Sequence, residues 1–204
     1  MLDTLLQGKR VTLRNVTEKD FKPLWQLRYG EENPEWKKWD APYFPYERLD
    51  FHRFKEMEKN RVTYDYAHGV NSQLLIEVNS RIIGSIVFYW EDEATRWLEI
   101  GIAIYKPKFW NGGYGTEALE LYIDYLFSNL EIERVGLTTW SGNERMIAAG
   151  KKVGLLMEGR MRKCRYYNGY YYDSIRMGMI REEWEEKKKS KKLQRGVSYT
   201  NQNN

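Results

Sequence analysis

The sequence predicts an α+β domain with a mixed, mostly antiparallel central sheet flanked by helices. Three observations carry that reading. Periodic patterns run in the order strand, helices, three antiparallel strands, helix, strand, helix, two strands, whereas a doubly wound sheet alternates strand and helix throughout. Two tight-turn signals, Asn79-Ser80 and Asn168-Gly169, each split a strand pattern into a hairpin. No internal repeat or linker interrupts the chain before about Arg181, so residues 1–184 read as one domain.

Gly8 to Asn15 alternates Val11 and Leu13 with Thr12 and Arg14, the pattern of a first strand. A helix follows, with Asp20 expected as its N-cap because Pro23 then falls in the first turn, where a missing N–H costs nothing. Glu31 to Pro45 holds three prolines, which argue against a long regular element, together with Trp36, Trp39, Tyr43 and Phe44. That segment is expected as an aromatic loop, pinned to the core or walling an active site. Tyr46 to Asn60 reads as an amphipathic helix through Leu49, Phe51, Phe54 and Met57. Strands are expected at Leu74–Val78, Arg81–Trp90, Arg96–Ile104 and Arg134–Trp140, with a short helix at Asn143–Lys152. Val153 to Ile180 then forms the second hairpin.

The most informative run is Tyr105 to Ala118, YKPKFWNGGYGTEA, between a strand and a helix marked by Leu119, Tyr122, Ile123 and Leu126. Its three glycines allow backbone N–H groups to converge at a helix N-terminus, where the helix dipole favours an anion such as phosphate. Three phosphate turns compete. A nucleotide P-loop needs Lys before its Ser/Thr, but Thr116 follows Gly115 directly. Gly113 to Ala118 fits the dinucleotide fingerprint G-x-G-x-x-A, yet Tyr105 to Asn111 separate these glycines from their strand. The third candidate is a turn for the pyrophosphate of coenzyme A.

Hydrophobic content of 42% and charge of 30% are those of a soluble globular protein. No apolar run approaches the roughly 18 residues of a membrane span, and MLDTLLQGKR lacks a signal-peptide core, so a cytoplasmic protein with no membrane role is expected. One cysteine, Cys164, agrees with a reducing compartment and is expected as a packed thiol. With only His52 and His68 besides, no metal site is expected. Of the net charge of +4, Arg181 to Arg195 supplies three, through seven Lys/Arg against four Glu. A nucleic-acid surface on the domain is therefore not indicated, and residues 185–204 read as a basic, frayed tail.

Several runs, taken together and in order, resemble the GNAT acetyltransferase superfamily, specifically its RimJ/RimL-like ribosomal-protein N-acetyltransferase branch. The glycine turn resembles motif A, (Gln/Arg)-x-x-Gly-x-(Gly/Ala), with Trp110 in place of Gln/Arg and Gly113 and Gly115 matching. Leu13-Arg14 followed by Asp20, Asn143 to Leu155 with Lys152 and Gly154, and Glu158-Gly159, Asn168-Gly169, Asp173 and Ile180 to Trp184 match further family patterns. The resemblance covers about Gly8 to Trp184 and implies a splayed strand at the cofactor site.

It also implies acetyl-CoA as acetyl donor and a primary amine as acceptor, by branch a protein N-terminus. A polyamine, or a non-catalytic acyl-CoA-binding regulator, is the alternative, and a homodimer is compatible with the sequence. Carried over by residue, the pantetheine arm falls on Ile102, Ala103 and Ile104, and the pyrophosphate on Trp110, Asn111, Gly112, Gly113, Tyr114, Gly115 and Thr116. Asn143 matches the Asn that contacts the cofactor arm. Glu99 is the candidate base, since an amine of pKa about 8 to 10.4 must lose a proton before attack. Relatives carry a general-acid Tyr where this chain has Gly150, leaving Ser141 or Tyr166 as substitutes. The acceptor is expected at Trp36, Trp39, Asp40 and Tyr43, with Asp40 and nearby Glu31, Glu32 and Glu35 attracting a cationic amine.

Overall fold

The computed structural model describes residues 3–200, and side chains as far as residue 190. Eight strands form one sheet: β1 (Leu5–Gln7), β2 (Thr12–Asn15), β3 (Gln73–Val78), β4 (Arg81–Asp92), β5 (Trp97–Ile104), β6 (Arg134–Trp140), β7 (Leu156–Tyr167) and β8 (Tyr170–Ile180). Their spatial order is β1-β2-β3-β4-β5-β6-β8-β7. Every neighbouring pair is antiparallel except β5 and β6. Helices α1 (Phe21–Tyr29), α2 (Phe51–His68), α3 (Tyr114–Asn129), α4 (Glu144–Val153) and α5 (Arg181–Thr200) complete the α+β architecture. Both expected hairpin turns form, with Asn79 and Ser80, and later Asn168 and Gly169, at positive φ, as two-residue turns matching strand twist require.

Central strands are buried on both faces. Leu74, Ile76, Leu98, Ile100, Val135 and Leu137 pack against Leu119, Tyr122, Ile123 and Leu126 of α3. On the opposite face, Leu75 and Tyr105 meet Phe21, Leu24 and Tyr29 of α1, Phe54 of α2, and Trp36. Trp36 stands edge-on to Tyr46 and Tyr105, so this ring anchors the proline-rich loop to the second core. Gly84 of β4 accommodates the neighbouring strand, since a Cβ there would fall 2.2 Å from the Ala103 carbonyl oxygen.

Four local expectations change. β1 was not legible, because its three residues are too few to show a period. Asp20 holds the N-cap position of α1 as expected, but its side chain makes no capping bond to that helix. It closes a box with Thr17, accepting from the Thr17 amide and hydroxyl, while Arg14 grips the same carboxylate through two 2.7 Å bonds and reaches Glu77. The second helix starts at Phe51, where the Asp50 side chain accepts from the Arg53 amide, and runs past Asn60 to a left-handed Gly69. The segment expected to fray after Trp184 continues as α5, residues 201–204 lying outside the described residues. Trp184 stacks on Phe127 and donates to Asp124, and Lys187 donates to the Val153 carbonyl.

Arg181 joins α5 to the body of the domain. Its guanidinium donates to the carbonyls of Phe127, Leu130 and Ile132, satisfying acceptors left open where α3 ends. Arg181→Met removes these three charge-assisted bonds and is expected to lower unfolding free energy by about 2–4 kcal/mol. Urea titration checks this, and a loss below about 0.5 kcal/mol would mean that solvent replaces the contacts fully.

Candidate active site

β5 and β6 run parallel, joined by the α3 crossover, and pair only at Leu98 with Val135 and Glu99 with Gly136. Beyond these two pairs they diverge. Antiparallel pairing with β4 continues along the other edge of β5 as far as Ile104. The edge of β5 from Gly101 to Ile104 therefore faces a cleft of about 690 Å³, whose opposite wall is Thr138, Thr139, Trp140 and Asn143. Unpaired strand edges offer alternating N–H and C=O groups, suited to an extended ligand carrying amides.

At one end of the cleft the chain turns into α3. Gly113 takes a left-handed φ of 79° just before Tyr114, the first helical residue. The amides of Tyr114, Gly115 and Thr116 open α3 and lack intrahelical acceptors, giving an anion site. Arg10 braces the turn from behind, donating to the Gly112 carbonyl and pairing with Glu117. Glu117 also accepts from the backbone of Arg10 and Val11. Burial pushes its pKa up, but these bonds outweigh it and hold the carboxyl below the usual range.

Ile102, Ala103, Ile104, Trp110, Asn111, Gly113, Tyr114, Gly115, Thr116 and Asn143 all line this cleft. Gly112 does not, its carbonyl being turned to Arg10. Asn143 serves first as the N-cap of α4, accepting from Met146, while its amide donates to the Trp39 carbonyl. Trp36, Trp39, Asp40 and Tyr43 also line the cleft, so the proline-rich segment both packs and walls. Trp39 reaches further than expected, since its ring meets Trp110 edge-to-face at 6.2 Å.

The two expected catalytic side chains lie outside the lining. Glu99 is fully buried (0% exposed), its carboxylate held by Arg176 at 3.1 Å. Ser141, just past the end of β6, accepts through Oγ from the Asp173 amide of β8. Gly150 is packed into the core, where a Cβ would come within 3.0 Å of Met177 sulfur, so a side chain there would not face the cleft. Cys164 is exposed rather than packed.

Sequence reasoning missed Tyr89, Trp140, Arg145, Lys152 and Arg165, all of which line the cleft. Tyr89 sits directly across from Glu99 in the β4–β5 register, and its hydroxyl donates to Glu99 at 3.5 Å. Burial, then the Glu99 charge, push its pKa up to about 12. A signal existed for Arg145, two residues after the recognised Asn143, but its target is set by tertiary packing. Among the described residues no cluster of His, Cys, Asp and Glu suits a metal ion, and no helix is long and apolar enough to cross a membrane.

An open strand edge leading to a glycine-rich helix N-terminus, roofed by aromatics, makes a cleft suited to an extended ligand with amides at one end and an anion at the other. Residues 10–156 match the acetyltransferase (GNAT) domain, and the chain belongs to this family of acetyl-CoA-dependent N-acetyltransferases. It is 33% identical to the putative ribosomal N-acetyltransferase YdaF of Bacillus subtilis (strain 168) over 63% of this chain and 68% of that protein. The fold is shared with RimL, a ribosomal L7/L12 α-N-protein acetyltransferase solved with coenzyme A, at TM-score 0.70 and 18% identity over 88% and 99% of the two chains. It is shared equally with spermidine N-acetyltransferase of Vibrio cholerae, at TM-score 0.69 and 20% identity over 87% and 99%.

The two turn glycines make separable demands. Gly113→Ala forces a side chain into left-handed φ and against Arg10, 2.9 Å from the added carbon, and should cost about 1–2 kcal/mol. Gly115→Ala meets nothing closer than Ile102 at 3.8 Å and should leave the melting temperature level or slightly raised. Calorimetric melting distinguishes the two, and equal losses would contradict the turn geometry.

Proposed function

We propose that the acceptor is the terminal α-amine of a protein or peptide, reacting in the cytoplasm. The observation that carries this reading is the charge of the cleft. Its lining cations are Arg145, Lys152 and Arg165, against two carboxylates, Asp40 and Glu144, and of these cations Arg165 is the one set against the acceptor wall at Tyr43 and Phe44. Asp40 is bridged to Lys37 at 3.6 Å, and Glu35 to Lys38 at 3.3 Å, so the acids expected to draw in a cationic amine are partly neutralised. Arg165 lies over Tyr43 and Phe44, and its buried Nε has no acceptor among the described residues. A polyamine would bring further positive charge to this wall, whereas a peptide brings carbonyls and, in acidic sequences, carboxylates. Fold similarity does not discriminate, because a protein-directed and a polyamine-directed enzyme match it equally. The charge of the wall favours the peptide.

The bound cofactor supplies an acetyl thioester open to attack by a neutral amine. Amides along the unpaired edge of β5 would stabilise negative charge on the thioester oxygen. An α-amine of pKa about 8 is roughly one-tenth neutral at pH 7, so the proton acceptor removes a modest barrier. Glu99 performs that role through Tyr89. As the amine attacks, its proton passes to the Tyr89 oxygen while the Tyr89 proton passes to Glu99, a path that needs the 3.5 Å contact to tighten on binding. With a pKa of about 12, Tyr89 stays protonated between turnovers at neutral pH. A thiol of pKa about 8.5 would need no dedicated acid from the protein to leave as its thiolate.

Two measurements test these assignments. In an acceptor panel followed by CoA release, peptides with acidic residues after a free N-terminus should exceed spermidine in kcat/KM by at least about tenfold, and Arg165→Met should raise the peptide KM while leaving that of acetyl-CoA unchanged. Turnover on spermidine but not on peptides would reverse the acceptor assignment. For the proton path, Tyr89→Phe and Glu99→Gln should each lower kcat by at least about tenfold at unchanged CoA affinity, with the double variant no worse than either. Full activity in Tyr89→Phe alongside loss in Glu99→Gln would route the proton elsewhere.

A further inference from the structure

Arg145 stands at a point where three structural segments meet. Its guanidinium carbon lies 4.2 Å from the centroid of Trp39 and 4.8 Å from that of Trp110. Trp110 is fixed in turn by donating its indole N–H to the Ile104 carbonyl at 2.8 Å, on the cofactor strand itself. The Trp39 carbonyl accepts from Trp140 and Asn143 on the opposite wall. This cluster therefore spans the open end of the V between β5 and β6, three residues from Gly113.

Two buried donors in the cluster, Arg145 Nη1 and Trp39 Nε1, have no hydrogen-bond acceptor among the described residues. Leaving such donors unpaired costs about 1–3 kcal/mol each, more for the charged one. Apolar packing alone would not call for a guanidinium here. Both side chains line the cleft, with these two atoms lying beneath its surface.

The nearby glycine turn supplies backbone donors but no cation of its own from Trp110 to Thr116. Arg10, the guanidinium beside the turn, is engaged by Glu117 and the Gly112 carbonyl. A diphosphate on the helix N-terminus would bring about two negative charges to a partly enclosed site. We infer that Arg145, held by Trp39 and Trp110, is the side-chain cation that binds the diphosphate of the cofactor. In this arrangement Trp110 works indirectly: it positions a charge carried on another helix. Trp39 belongs to the same device, so the aromatic loop contributes to cofactor binding as well as to the acceptor wall.

The inference rests on coenzyme A as cofactor, and titration calorimetry with CoA, 3′-dephospho-CoA and pantetheine separates the two. Arg145→Met should weaken CoA and 3′-dephospho-CoA alike, by about ten- to hundredfold, and leave pantetheine unchanged. Arg145→Lys, which keeps the charge and loses the flat stacking face, should recover part of the loss and also serves if the Met variant fails to fold. Loss for CoA but not 3′-dephospho-CoA would move the contact to the 3′-phosphate and overturn the diphosphate assignment. Equal weakening of pantetheine, or equal losses in Lys and Met variants, would make Arg145 a packing element only. Unchanged CoA affinity in a folded Arg145→Met protein would overturn the inference alone, whereas failure of the unaltered protein to bind CoA would overturn the cofactor reading with it.

Discussion

Divergence of β5 from β6 is the constraint on which the rest of the site depends. Two parallel strands joined by a helical crossover share only two residue pairs, and the sheet then opens. Opening exposes main-chain groups that folding normally pairs, an arrangement with a cost of roughly 1–3 kcal/mol per unpaired buried group. The protein limits that cost by bridging the mouth of the gap with side chains. Trp110 takes the Ile104 carbonyl, and Asn143 and Trp140 take the carbonyl of Trp39. Core packing beneath the split is continuous, with Leu98, Ile100, Val135 and Leu137 all buried against α3, so the strands separate over a rigid floor.

Aromatic residues carry two kinds of work in the proline-rich loop. Trp36 is spent on the second core, against Tyr46 and Tyr105. Trp39 and Tyr43 face the cleft, where Tyr43 meets Trp140 edge-to-face and Trp39 meets Trp110. Rings suit this place because they bury much area with little rotamer entropy and because their faces accept guanidinium groups. Arg145 and Arg165 occupy those faces, giving the cleft a positive wall that composition alone did not suggest. Asp40 and Glu35 in the same loop pair locally with Lys37 and Lys38.

Much of the architecture was legible because its signals are local. Both hairpin turns, the limits of β6, the crossover helix and the glycine turn follow from periods, positive-φ residues and breakers within a few positions of each other. The paired Arg14 and Asp20 were legible as a pattern, although their purpose, a bidentate bridge that locks the first helix to β2 and β3, needed the fold. What failed had no local signature. The three-residue β1 shows no period, and the second half of α2 lacks an apolar stripe.

The same division runs through the site. Sequence alone determined the anion turn, because left-handed φ and open helix amides are properties of a short run around Gly113. Only the tertiary structure decided which side chains line the cleft beside that turn. Glu99 turns away to Arg176 and meets the cleft through Tyr89, a neighbour ten residues distant that the hairpin register supplies. Arg145 meets Trp39 and Trp110 across three separate segments, and Arg165 comes from a hairpin far along the chain. Charge in a cleft is a sum over residues brought together by folding, so no window of sequence contains it.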